Sequence, residues 1–460
     1  MYGKPMTEGV PWKHLLRFAA PVLAGALLQH FYGVVDSVVI GRFSGQDSLA
    51  AVGTTSTFSF FFLAIALGFS AGNGVLVAQY YGANDREKVR SAASVGIMLL
   101  FALGVLATLL GLVVARPAFE YFVDVPAEIL DLTVDYLVVY LFGLVFQFGY
   151  NIFASNLRSV GDSASTLYFL IAASLVNVAL DLLFVACFRW GVVGAAAATD
   201  VAQAVSCGVA YRYMVRKYPV FRFKRADYKW NWDVVKKTFS IGTPIALHLA
   251  IVSIGMTVIQ RGVNGFGRVM TASFTVGRQL ELFLNFPSHA LQTTLATFTG
   301  QNVGARRLDR VKLGGRQTIE ISLTFTVVLS IFLWFFAASI VGWFNLEPEA
   351  AGYCVRHVRA ITIINLVLCS YLPMFGLFQG TGHSAIPAIV ATTALALRCL
   401  SMYVFGHSAI IGYAIVWWNG IFGFGAGFAI TWGYYFSGQW RRGLENAPTD
   451  SAREGEKTAF

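Results

Sequence analysis

Leu175-Val176-Asn177-Val178-Ala179-Leu180-Asp181-Leu182-Leu183-Phe184 sets an amide and a carboxylate one helical turn apart inside an apolar run too long to be a strand. Asn177 and Asp181 therefore share one face of a buried helix. A carboxylate at such depth costs roughly 2.5 to 3.5 kcal/mol on membrane-insertion scales, and an amide adds to that, so a chain that carries both is using them. The rest of the sequence is organised around this pair.

Of the 460 residues, 56% are hydrophobic and 13% charged. With a mean hydropathy of +0.63, this composition excludes a soluble globular protein of this length and defines an all-α polytopic membrane protein. The formal charge of +10 resides in short Lys and Arg clusters between apolar runs. That pattern marks cytoplasmic loops under the positive-inside rule and excludes a nucleic-acid partner. The five cysteines show no paired spacing and read as small buried hydrophobes. Residues 1–12 lack the short apolar core and small-residue site of a cleaved leader, so the first apolar run is expected to be a membrane helix.

Apolar runs fall at roughly 14–40, 50–80, 91–115, 132–157, 165–187 and 192–215, then at 238–264, 272–300, 315–343, 358–380, 385–405 and 409–436. Twelve transmembrane helices in two six-helix lobes follow. The expected division is a first lobe over 1–211, a basic cytoplasmic linker over 212–237, a second lobe over 238–436 and a cytoplasmic tail over 437–460. The linker carries Arg216, Lys217, Arg222, Lys224, Arg225, Lys229, Lys236 and Lys237. The opposite loops carry Glu120, Asp124, Glu128 and Asp131, or Glu347 and Glu349, which places both termini in the cytoplasm.

The halves repeat. Gln79-Tyr80-Tyr81-Gly82-Ala83 recurs as Gln301-Asn302-Val303-Gly304-Ala305, and Val160-Gly161-Asp162-Ser163 as Thr381-Gly382-His383-Ser384, at offsets of 221 to 222 residues. An even number of helices per half makes the repeats parallel, related by a pseudo-two-fold axis along the membrane normal with the substrate path between them. The offset carries Asn177 and Asp181 onto Arg398 and Met402, so the second lobe has a base where the first has an acid.

Helix depth brings further polar residues to the pair. The first helix bends at Pro21 and carries Asp36 roughly 8 Å below the outer surface, level with Asp181; the sixth helix sets Thr199 about 12 Å down. Asp36, Asn177, Asp181 and Thr199 are thus expected to meet in one cluster. Two acids so close in a low dielectric need a proton or a cation between them, which is the physics of an H⁺ or Na⁺ site. Against this stands a helix-end role for Asp36 near Arg42. Asp200 either joins the cluster or pairs elsewhere. Glu281 either pairs with Arg278 or meets substrate, and Arg398 either lines the second lobe's cavity or bonds carbonyls. His30 and His248 read as satisfied interior histidines. The aromatic runs at 58–62 and 334–336 read as lipid-facing.

The sequence resembles the multidrug and toxic compound extrusion (MATE) family over nearly its whole length. The resemblance rests on Val35-Asp36-Ser37 with Ile40-Gly41-Arg42, on Val77 to Ala83, on Asn156-Leu157-Arg158-Ser159-Val160-Gly161-Asp162, on Asn177 with Asp181, on Gly194-Ala195-Ala196 and on Gln301 to Ala305. It implies an antiporter that is not an enzyme, uses no cofactor and exports lipophilic cations from the cell membrane in exchange for H⁺ or Na⁺, acting as a monomer. In the DinF-like branch the cation site lies in the first lobe, at positions matched by Asp36, Asn177, Asp181 and Thr199, which would be metal ligands if the ion is Na⁺. Pro21 matches a conformational hinge. Tyr32, Asp200, Glu281 and Arg398 are the candidates for the substrate cavity. The NorM-like branch adds acids in stretches matching 244–256 and 371–379, where this chain has none. A flippase for a lipid-linked saccharide or other lipid-like substrate is the alternative; it calls for several cavity bases, and Arg398 is the one clear candidate. An intramembrane protease is disfavoured because Ser159-Val160-Gly161-Asp162 lacks the first glycine of the Gly-x-Gly-Asp motif.

Overall fold

The computed structural model describes residues 5–123, 125–406, 408, 412–442 and 444. Most of the expected tail at 437–460, and Asp124, lie outside the described residues. The first half forms α1 (Pro11–Phe43), α2 (Gly45–Gly82), α3 (Arg86–Pro117), α4 (Ala127–Ser159), α5 (Ala164–Asp181) and α6 (Gly191–Lys217). The second forms α7 (Trp232–Asn264), α8 (Arg268–Gly304), α9 (Leu308–Gly342), α10 (Pro348–Cys369), the short α11 (Met374–Gly380), α12 (Ala385–Phe405) and α13 (Ile415–Phe436).

Local chemistry sets the helix starts. Pro11 and Pro348 stand in the first turns of α1 and α10, where a missing N–H costs nothing. Asp85 caps α3 by accepting from the Lys88 N–H at 3.0 Å, and Asn231 caps α7 through the Asp233 N–H at 3.0 Å. Among the described residues eleven stretches are long and apolar enough to cross a bilayer, with α10 and α11 together making one of them. The twelfth span is α8, whose 37 residues include Arg278, Gln279, Glu281, Asn285, His289 and Gln292. It packs against α1 and α2 of the other lobe, which explains its lower apolarity.

The repeat is visible in the backbone. Left-handed residues occur at matching places: Gly45 (φ 88°) and Gly267 (90°), Asn84 (57°) and Arg306 (57°), Gly161 (89°) and Gly382 (88°). Packing obeys the same symmetry, since α1 meets α8 as α7 meets α2. Lipid-facing surface is carried by residues such as Val113 (75% exposed) and Phe335 (74%). The run at 58–62 divides: Phe61 is exposed, whereas Phe58 packs edge-on against Phe119 at 4.7 Å.

At the linker end the lobes close on each other. Gln79 Nε2 donates to the Gly380 carbonyl at 2.9 Å, and its repeat-mate Gln301 donates to the Ser159 carbonyl at 2.7 Å. Between these bonds α2 and α8 cross at Gly82 and Gly304, so closely that a Cβ on either would fall 1.9 or 1.8 Å from the Gln301 or Gln79 carbonyl oxygen. The segment before α1 straps over this crossing. The Met6 N–H donates to Gln301 Oε1 at 2.8 Å, and Arg310 donates to the Met6, Glu8 and Gly9 carbonyls at 2.8 to 3.2 Å. At the far end a cavity of about 680 Å³ opens beside α1, lined by Gln29, His30, Gly33, Arg42 and Gln279 among others.

Candidate functional site

Three helices build the site near the far end of the first lobe. α5 lies against both α1 and α6. From α1 come Tyr32 and Asp36 on one face, from α5 Asn177 and Asp181, and from α6 Thr199. Asp181 is fully buried and Asn177 nearly so. Asn177 Nδ2 donates to Thr199 Oγ1 at 3.3 Å, and the Tyr32 hydroxyl stands 3.5 Å from the same oxygen. The carboxylates of Asp36 and Asp181 come within hydrogen-bonding reach of each other. Directly after Asp181 the helix widens into a π-turn over Leu182–Cys187, a distortion that re-aims side chains and recurs at functional sites.

The electrostatics are one-sided. Both oxygens of Asp181, Oδ1 of Asp36 and Oδ1 of Asn177 are enclosed and have no hydrogen-bond donor among the described residues. None of the ion pairs among the described residues includes Asp36, Asp181 or Asp200. Unpaired buried acceptors are expensive, and a proton or a small hard cation satisfies several at once. The donor set, carboxylate, amide and hydroxyl oxygen, suits either. No group of three or more His, Cys, Asp or Glu among the described residues is placed to hold a metal ion.

The other expected residues fall in different places. Asp200 turns to α4, its carboxylate resting against Gly143. Pro21 lies inside a continuous α1, where it leaves the Arg17 carbonyl without its helical donor. Glu281 on α8 stands in the field of Arg398 and Arg278 but within 4.0 Å of neither. On α12, Arg398 donates through Nε to Asn419 Oδ1 at 2.8 Å. His248 Nδ1 lies 3.2 Å from the Pro387 carbonyl, and His30 Nε2 is 3.3 Å from Gln279 Nε2.

Two tyrosines were not legible as site residues. Tyr136 and Tyr140 on α4 stack at 6.4 Å beside the acids, with Gln147 Nε2 donating to the Tyr140 hydroxyl at 3.1 Å. Their spacing of four, with Gln147 two turns on, was the available signal. Asp162, at the linker end, has a structural role. It accepts from the Tyr218 hydroxyl at 2.7 Å, the Ser165 hydroxyl at 2.8 Å and Lys217 Nζ at 3.1 Å. Burial pushes its carboxyl up, but these bonds outweigh burial and hold it below the ordinary aspartate value.

Twelve spans in two parallel-related lobes, with unpaired acids buried in one of them, constitute the architecture of a secondary transporter. The MatE family model matches residues 21–183 and 244–404, one stretch in each half, and the chain belongs to that family. It is similar to the probable multidrug resistance protein YoeA of Bacillus subtilis, with 26% identity over 92% of this chain and 93% of the relative. YpnP of the same organism, also named a probable multidrug resistance protein, is 24% identical over 95% of this chain and 97% of its own. The fold matches a crystal structure of MATE in the straight conformation with a TM-score of 0.89 at 22% identity, covering 96% of this chain and 100% of that one.

Proposed function

We propose that the protein is an antiporter of the cell membrane that expels lipophilic cationic compounds in exchange for inward H⁺ or Na⁺, bound at Asp36, Asn177, Asp181 and Thr199 as in the DinF-like branch. The observation that carries this reading is the set of enclosed acceptor oxygens on Asp36, Asn177 and Asp181 that have no donor, and the carboxylates that have no ion pair, among the described residues. The names of the similar Bacillus proteins support export of drugs. In this reading residues 212–237 tether the two lobes on the cytoplasmic side, where both termini lie. The protein acts as a monomer without a cofactor and catalyses no covalent chemistry.

The coupling is competition for negative charge. With the far end open to the outside, H⁺ or Na⁺ reaches the acid pair and neutralises it, which removes the charge that favoured the cationic substrate. Substrate leaves. The discharged cluster lets α1 bend at Pro21, the first-lobe cavity shrinks, and the inward-facing state becomes favoured. There the ion departs and the next substrate binds. Linkage requires reciprocity: substrate weakens ion binding by the factor by which ion weakens substrate binding. Efflux of a cationic dye from proteoliposomes under an imposed proton gradient, then under a Na⁺ gradient, tests the proposal. One of the two gradients should drive it; efflux indifferent to both would end the antiport reading.

A further inference from the structure

A small cavity lies between the lobes beside the closed crossing, outside the coupling scheme. It holds about 80 Å³ and is walled by α2 and α4 of the first lobe and by α8 and α11 of the second. Residues related by the repeat build its wall: Gly74 with Ala296, Val75 with Thr297 and Arg158 with Gln379. The cavity therefore sits on the pseudo-two-fold axis, and both lobes contribute to it. Arg158 and Gln379 directly precede Ser159 and Gly380, whose carbonyls accept the cross-lobe bonds from Gln301 and Gln79. Closing the linker end and assembling this cavity are thus one event.

Its polar groups are unevenly used. Ser155 Oγ donates to the Ser70 carbonyl and Ser159 Oγ to the Gly74 carbonyl, both at 2.7 Å, while Thr293 and Thr297 donate within α8. Those hydroxyls have no proton left to offer. Arg158 and Gln379 differ, because the side chain of neither makes a hydrogen bond or an ion pair among the described residues. Gln379 is 6% exposed and lines the cavity, so the cavity is what its unbonded amide meets. No Asp or Glu lines the cavity, and the positive charge of Arg158 is unopposed there. Ala71, Arg158, Thr293 and Ala296 are partly exposed, so the wall they form is open to a small solute.

Size and charge select the ligand. A space of about 80 Å³ has room for a few water molecules, whereas drug-sized ligands occupy roughly 300 to 1,000 Å³. One unopposed guanidinium calls for one negative charge. We infer that this cavity binds a halide-sized monovalent anion such as chloride, held between the Arg158 guanidinium and the Gln379 amide. The two donors stand in different lobes, so the bound anion ties one lobe to the other and favours the closed linker end. Linkage requires the converse: opening that end weakens the hold on the anion. The site is separate from the acid cluster, and its occupancy does not depend on which ion drives export.

The test is thermal unfolding of the purified full chain in detergent as chloride replaces gluconate, with ionic strength and cation held constant. Wild type should gain stability saturably, its melting temperature rising by about 2 °C or more, and bromide should act as chloride does. Arg158→Gln should abolish the rise. Gln379→Leu keeps the charge, removes the amide and covers the case in which the Arg158 variant fails to fold; it should need about threefold more chloride, or beyond, for half of the effect. Spin labels at Glu87 on α3 and Asp309 on α9, in a cysteine-free background, read the tie between the lobes. Gluconate should raise the population at the longer distance about threefold over chloride. Equal melting temperatures in chloride and gluconate, or an undiminished chloride effect in a folded Arg158→Gln or Gln379→Leu protein, overturn the site. Chloride stabilisation with an unchanged distance distribution overturns the tie.

Discussion

A methyl group at the crossing of α2 and α8 should unlock the linker end. In Gly82→Ala the new Cβ would lie 1.9 Å from the Gln301 carbonyl oxygen, whereas ordinary contact begins at 3.4 Å, so the helices must part by about 1.5 Å. The bonds from Gln79 to Gly380 (2.9 Å) and from Gln301 to Ser159 (2.7 Å) flank this contact and would stretch out of range. Each is worth about 0.5 to 1.5 kcal/mol net, and overpacking costs about 1 to 3 kcal/mol. The closed arrangement therefore loses at least about 2 kcal/mol relative to a state in which α2 and α8 separate, a shift of at least about 25-fold. Spin labels at Glu87 and Asp309, exposed and related by the repeat, report the separation by pulsed electron resonance in a cysteine-free background. The expected result is a new, longer distance in Gly82→Ala that becomes the major population. An unchanged distance distribution in a folded Gly82→Ala protein would refute the view that this crossing is the closed gate.

Gly304→Ala makes the symmetric overlap, 1.8 Å from the Gln79 oxygen, and should shift the same distance in the same direction; the double substitution should add less than the sum, because both act on one contact. Asp162→Asn should lower thermal stability at neutral pH by about 1 to 3 kcal/mol through loss of charge-assisted bonds. Because the Asp162 carboxyl is held below its unfolded value, its stabilisation is present above about pH 4 and is lost as pH falls through the folded value, so melting temperatures of wild type and Asp162→Asn should converge in acid. Thr199→Val removes the oxygen that Asn177 donates to, and should weaken ion-dependent protection from thermal unfolding by roughly tenfold in ion concentration.

The helical layout was legible because apolar runs of membrane length are hard to mistake, and because the repeated Gln79 to Ala83 and Gln301 to Ala305 stretches fixed the symmetry. The structure shows what those stretches do: their glutamines bond across the lobes and their glycines permit the crossing. Helix ends were less legible. The tenth apolar run reads as 358–380, but the span starts at Pro348 and breaks between α10 and α11, since Glu349, Arg356 and Arg359 near one end obscure the apolar signal. Asp36, Asn177, Asp181 and Thr199 could be brought together from depth alone, as charge in a membrane helix is conspicuous. Tyr136 and Tyr140 could not, because a tyrosine on an apolar helix does not announce which neighbour it faces. Arg307 and Arg310 read simply as loop charge; they bind carbonyls of the segment before α1, a long-range contact that no local pattern encodes.

The central claim is that the acid pair in the first lobe couples export to the ion. Among the described residues the Asp181 carboxylate has only the Asp36 carboxyl within hydrogen-bonding reach, so Asp181→Asn removes charge, keeps shape and should leave folding nearly intact. The decisive measurement is gradient-driven efflux of a cationic dye from proteoliposomes holding equal amounts of wild type, Asp36→Asn and Asp181→Asn. The account requires efflux by wild type, none by Asp181→Asn and little or none by Asp36→Asn. Full efflux by a well-folded Asp181→Asn protein would contradict it and move the coupling site to other acids, Asp200 and Glu281 first.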